Sequence, residues 1–227
     1  METVSDPQLP SLDPQSLKAR FTARREAINN IHQNWAIRVH RSISWAKRAG
    51  QFSDDQPEAQ LLFLWIALNS LYGRWDNLKN KPDSDGPSRQ AFIRKVCCMD
   101  SPLINSVLRR HKPLLKQLLG EPYLSPIFWR NPLHPDARKN AIEDLYHLDR
   151  NLKNPDCGRL LSQVLDRIAV LRGQIVHGAA TGGGRLNRQA VRHSLEMLRV
   201  LVPILQHIVI EHGCNDDWPE LCYPPLP

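Results

Sequence analysis

The stretch Leu61–Leu71, LLFLWIALNSL, limits the possible folds of this chain more than any other. Wound as a helix it is apolar on nearly every side, and such a helix is stable in water only with other elements packed around it. The residues before it read as a turn, Gln51–Gln56. Pro57 suits a first helical position, and the helix is predicted to reach about Trp75. The remaining chain supplies the neighbours. Ser16–Ala49 holds no proline or glycine, and Phe21, Ala27, Ile28, Ile31, Trp35, Val39 and Ile43 recur at steps of three and four, the helical period. Ser88–Met99 reads as a short amphipathic helix. Ser101-Pro102 reads as the cap and first residue of a helix toward Leu119, which Pro113 should break or kink.

Gly120–Pro135 is predicted to be irregular, tied down by Tyr123, Phe128 and Trp129, and Asp136–Leu152 to be a charged helix. Asp156 can cap a long helix that ends at His177, where Gly178 stops it. The loop Gly178–Gly184 follows. Asn187 can cap a last helix to about His212, with Val191, Leu195, Leu198, Val202, Leu205 and Val209 on one face and a kink expected at Pro203. No stretch alternates with the period of a strand, and no segment repeats. The expected fold is all-α: a helical bundle over residues 16–212, with an inserted middle section at about 80–152, an unstructured lead-in at 1–15 and a proline-rich tail at 213–227.

The net charge of +7 suits a polyanionic partner such as RNA, and also simple solubility. Five cysteines without a C-x-x-C pair argue against a disulfide framework or a structural zinc site, and the histidines lack a spacing such as H-E-x-x-H. No metal or cofactor is expected. Met1–Asp13 lacks the basic start and apolar core of a signal peptide, and the longest apolar run, Leu61–Leu68, falls short of the roughly 20 residues that span a bilayer. A cytoplasmic protein away from the membrane is expected.

Two residues stand out chemically. Arg172 has Ile168, Ala169, Ile175 and Val176 at three and four residues on either side, so it points into or beside the buried face of its helix. An unpaired guanidinium there costs several kcal/mol, so it needs a carboxylate, carbonyls, or a groove open to phosphate. His177 lies about 140° further round the helix, and the two converge if the last turn opens at Gly178. Histidine exchanges protons near neutral pH and arginine grips phosphate oxygens, a pairing suited to phosphodiester cleavage without metal. A helix-capping histidine and a bridging arginine account for the same residues. Asn69 is predicted to face the interior beside Trp65, Ile66, Tyr72 and Gly73, where its amide either fixes Arg172 or His177 or satisfies a core carbonyl. Arg185, Arg188 and Arg192 follow the Gly-rich loop and extend a candidate phosphate-binding patch, or form a solvated basic face.

The string LRGQIVHG (Leu171–Gly178), the helix LFLWIALNSLYG, the loop GAATGGGRLNRQAV, the segment LVPIL and the ending DWPELCYPPLP resemble bacterial HEPN-domain proteins of the Apea-like kind. The resemblance covers Gln56–Asn77 and Asp156–Pro225, and leaves out the first helix and the middle section. It implies a helical bundle that dimerises around the motif helices. It also implies a metal-independent endoribonuclease of the sort found in toxin–antitoxin and antiviral systems, with an antitoxin or defence protein as a further partner. In that family the 2′-hydroxyl attacks the adjacent phosphate. Carried over, Arg172 positions the phosphate, His177 is general acid or base, Asn69 is polar support, and Gln174 joins Arg185, Arg188 and Arg192 along the substrate. The chain departs from the pattern at Gly173, where active members often carry asparagine; Gln174 replaces that side chain only in part. A non-catalytic HEPN module that binds RNA, nucleotide or a protein is the alternative.

Overall fold

The computed structural model describes residues 12–28, 33–153, 156–179, 181–184 and 187–223. Its helices are α1 (Pro14–Glu26), α2 (Gln33–Ala49), α3 (Pro57–Tyr72), α4 (Asp85–Arg110), α5 (Lys112–Gly120), α6 (Lys139–Lys153), α7 (Cys157–Val176) and α8 (Arg188–His212). Short 3-10 turns join α5 to α6. Two residue pairs, Trp75–Asp76 (β1) and Lys81–Pro82 (β2), form an antiparallel ribbon between α3 and α4. The fold is all-α, as the hydrophobic periods require.

Several helix ends lie where local chemistry puts them. Pro57 opens α3 and Gly73 closes it, and Pro113 sits in the first turn of α5. The Asp156 carboxylate accepts the Arg159 N–H at 3.1 Å and starts α7. Other ends differ from expectation. Ser16–Ala49 is two helices: α1 already begins at Pro14, inside the expected lead-in, with Asp13 as its cap, and it ends at Glu26. The rest of the lead-in, residues 1–11, lies outside the described residues. The Phe21 ring packs on Trp35 at 5.4 Å, so the two helices bury their apolar faces against each other. Between Met99 and Leu103 the cap is Asp100, with non-helical φ −153° and ψ 72°, and not Ser101; its carboxylate takes the Leu103 N–H at 3.0 Å. A charged acceptor is favoured at a helix start. Asn187 holds the N-cap position of α8, as expected, but with a left-handed φ of 67° and no capping bond from its side chain; its amide donates to Gln174 Oε1 at 3.1 Å instead. Pro203 does not interrupt α8.

The central helix is α8, not α3. It packs against α1, α2, α3, α4, α5 and α7 and buries thirteen residues from Val191 to Ile210. By length and composition α8 could cross a membrane, but 67% of that stretch is buried within the fold. Helix α3 lies on α2 and α8 with one edge, Ile66 and Asn69, open to solvent. The middle section is part of the same core: Phe92, Ile93, Val96, Val107, Leu115, Leu119 and Leu148 are continuous with Leu68, Leu165 and Leu198.

Candidate functional site

Arg172 leaves α7 toward α3 and the first turn of α4. Its guanidinium carbon lies 5.3 Å from the centre of the Trp65 ring, and Nη2 lies 3.5 Å from Asp85 Oδ2. Tyr72, seven residues after Trp65 and on the same face of α3, donates its hydroxyl to Asp85 Oδ1 at 2.6 Å. Arg89, one turn along α4, also bonds Asp85 Oδ2, faces Trp65 at 5.7 Å and donates from Nη2 to Asp166 Oδ1 at 2.7 Å. Asp166 in turn accepts from Ser162 Oγ at 3.3 Å, and Ser162 from Gln90. The pairs Asp85/Arg89 and Ser162/Asp166 are each four residues apart and so share a helix face.

Two guanidinium groups therefore face one tryptophan, and two carboxylates hold them there. Burial, followed by the Asp85 charge, pushes the Tyr72 hydroxyl far above its ordinary range, so it stays a proton donor. Burial works against the Arg89 charge, but its bonds to Asp166 and the charge of Asp85 outweigh it and raise its pKa. Arg89 is only 5% exposed and serves as a brace. The Arg172 side chain is 28% exposed, and its Nη1 is not bonded to any described residue. Its Nε is buried without a partner. A guanidinium held by a ring face and one carboxylate, with donors to spare, can take an anion that competes with or joins Asp85.

The other expected site residues are placed differently. His177 is the C-cap of α7 and is exposed. The last turn is closed: Gly178 has φ +68°, its N–H bonds Ile175 O at 3.1 Å, and the Ala179 N–H bonds Gln174 O at 2.8 Å, a Schellman ending. The opening that would swing His177 toward Arg172 is not made, and no hydrogen bond joins the two side chains. Asn69 is exposed, where a buried position was expected, and its side chain bonds none of the described residues. It stands one turn from both Trp65 and Tyr72 along α3, on the edge that is open to solvent. The Gln174 amide is committed to structure: it donates to Tyr123 O at 3.1 Å and accepts from Asn187, tying α7 to the middle section and to α8. Arg188 and Arg192 are exposed, one turn apart on α8 and unpaired among the described residues, while Arg185 lies outside them. Among the described residues no three His, Cys, Asp or Glu side chains are grouped to hold a metal ion.

Gly173 faces open space, with no atom within 4 Å of a Cβ built there. Gly173→Ala should therefore stabilise the protein by up to about 1 kcal/mol, since it lowers the backbone entropy of the unfolded chain at a helical position in the last turn of α7. Thermal melts would show a small upward shift; a drop would mean that the site is more crowded than its surroundings indicate.

Sequence reasoning passed over Asp85, Arg89 and Asp166, and read Trp65 only as an interior neighbour of Asn69. The signal for Arg89 was present, because Phe92, Ile93 and Val96 at three, four and seven residues on put it over the apolar face of α4. Asp85 sits in the string DSDGPS, and nothing local ties it to Arg172, 87 residues away. Comparison with protein-family models, with curated proteins and with solved structures returned no match.

Proposed function

We propose that this chain is a metal-independent endoribonuclease of the HEPN type, acting in the cytoplasm as a homodimer. In this reading Arg172 holds a scissile phosphate of RNA and the charge that develops on it. His177 moves the protons: one leaves the attacking 2′-hydroxyl, one reaches the departing 5′-oxygen, and a cyclic phosphate end remains. The observation that carries the reading is the state of Arg172: a part-exposed guanidinium braced by Trp65 and Asp85, with donors to spare. His177 stands about 7.5 Å further along the same helix axis, given a rise of about 1.5 Å per residue. Pairing of two copies along α7 brings a second His177 to the cleft. A toxin or antiviral effector, held in check by an antitoxin or defence partner, is the setting this chemistry suits.

A second reading, a non-catalytic module that binds RNA, nucleotide or protein, is favoured by two observations. Asp85 already occupies Arg172, and His177 is bonded to neither. A mixed RNA pool incubated in EDTA with wild type, Arg172→Ala and His177→Ala separates the two. The first reading requires cleavage by wild type to cyclic phosphate ends, with each variant slower by roughly 10²–10⁴-fold, the usual contribution of a positioned acid or base. Folded protein without cleavage selects the binding module. Equal cleavage by all three rejects Arg172 and His177 as the site.

A further inference from the structure

Helices α1 and α2 together carry eight Lys and Arg residues and a single acid, Glu26. Five of the eight are turned inward or to neighbours. Arg20 and Arg24 bond Glu211, and Arg38 and Arg41 bond carbonyls of the C-terminal segment and of the α3 end. Arg48 bonds Gln51. The other three, Lys18, Arg25 and Lys47, have no partner among the described residues, and all three line one groove of about 960 Å³ between the two helices. On α1 the wall is Lys18, Thr22 and Arg25, and on α2 it is His40, Ser44 and Lys47. Each set follows the spacing i, i+4, i+7, so each is a ridge along one helix face, about 10 Å long at 1.5 Å per residue. All six residues are exposed. Phe21 and Ile43 close the floor and are themselves buried. The acid at the mouth, Asp13, is engaged in capping α1.

We propose that this groove binds the phosphodiester backbone of a nucleic-acid strand. Three cations, two hydroxyls and an imidazole along two walls match the side chains that contact phosphates, while the floor's one aromatic ring, Phe21, is only 4% exposed and leaves a base little to stack on. Binding is therefore indifferent to sequence and strongly salt-dependent. A concave channel admits a strand and not a flat bilayer. The inference stands on the groove's own charges and not on cleavage at Arg172, which has no part in its walls.

The test is equilibrium binding of a fluorescent single-stranded RNA oligonucleotide across a salt series, in EDTA. The wild type is compared with Lys18→Ala/Arg25→Ala/Lys47→Ala and with a control triple, Arg94→Ala/Lys139→Ala/Arg159→Ala. The control removes the same charge from exposed positions elsewhere that are unpaired among the described residues. Circular dichroism checks that both triples are folded. The groove triple should bind at least tenfold more weakly, with the log–log salt slope reduced by about 2, from three contacts at about 0.7 each on a single strand. The control should change less than about twofold. Equal losses in both triples would overturn the proposal in favour of net charge alone. A groove triple that binds RNA like wild type would overturn it too, whether or not its affinity for anionic vesicles or polyglutamate falls. RNA bound in the groove but never cut leaves the groove and removes the nuclease; RNA cut equally by the groove triple, with unchanged affinity, does the reverse.

Discussion

Arg38→Ala should cost about 3–5 kcal/mol, since it leaves several buried carbonyls without a donor at about 1–3 kcal/mol for each that finds no other. Arg38 is 1% exposed on α2, and its guanidinium serves four carbonyls: Leu71 at 3.4 Å and Gly73 at 2.6 Å from the end of α3, and Pro219 at 2.8 Å and Glu220 at 3.0 Å from the C-terminal segment. The last carbonyls of a helix lack partners within it and carry partial negative charge, so a cation there satisfies both needs. Burial pulls the Arg38 pKa down to about 10, which still leaves it charged at neutral pH. The C-terminal segment crosses the α3 exit beside it. Trp75 N–H bonds Glu220 O, Cys222 N–H bonds Gly73 O, and the Trp218 ring lies 5.9 Å from the guanidinium. Truncation leaves four carbonyls without their donor and removes the cation that joins two distant segments. At about 2–4 °C per kcal/mol for a chain of this size, the melting temperature should fall by roughly 6–20 °C. The buried Trp218 should also emit at longer wavelength before global unfolding. A loss below about 1 kcal/mol would show that the carbonyls find other donors and that Arg38 is not the tie.

Asp144→Ala should cost about as much, roughly 3–5 kcal/mol, and more than Arg167→Met. Arg167 on α7 is 2% exposed; it donates to Asp144 Oδ2 at 2.6 Å and to Glu121 O at 3.0 Å. Asp144 on α6 also accepts from Gln163 at 2.8 Å, so its carboxylate joins α6 to α7 through both oxygens. The asymmetry comes from solvent. The Asp144 side chain is 24% exposed and can turn to water if Arg167 is removed, whereas Arg167 without Asp144 is a buried charge with one carbonyl. Methionine also fills most of the volume the guanidinium leaves. Denaturant titrations of both single variants and the double variant would give the order and the coupling. If Arg167→Met proves the costlier change, packing rather than charge holds α6 in place.

What the sequence determined by itself is what neighbouring residues decide among themselves. Pro57, Pro113, Asp156 and Gly178 act within one helical turn, so the starts of α3, α5 and α7 and the closed end of α7 follow from local hydrogen bonding and sterics. The all-α class follows from the helical period of the apolar residues. The same local reading joined α1 to α2, because the apolar period runs past Glu26 and no proline or glycine breaks it; the gain from folding Phe21 back on Trp35 is not written in that stretch. It also set Asn69 inside, because an apolar run does not say which edge of α3 its neighbours leave uncovered. Arg172 was legible as a guanidinium that needs a partner, but the partner, Asp85, was not. Arg38 and the C-terminal segment, 181 residues apart, and Arg167 with Asp144 belong to the same class. Burial of a charge is a demand the sequence states through its apolar neighbours. Which group meets that demand depends on which helices pack together, and only the tertiary structure decides that.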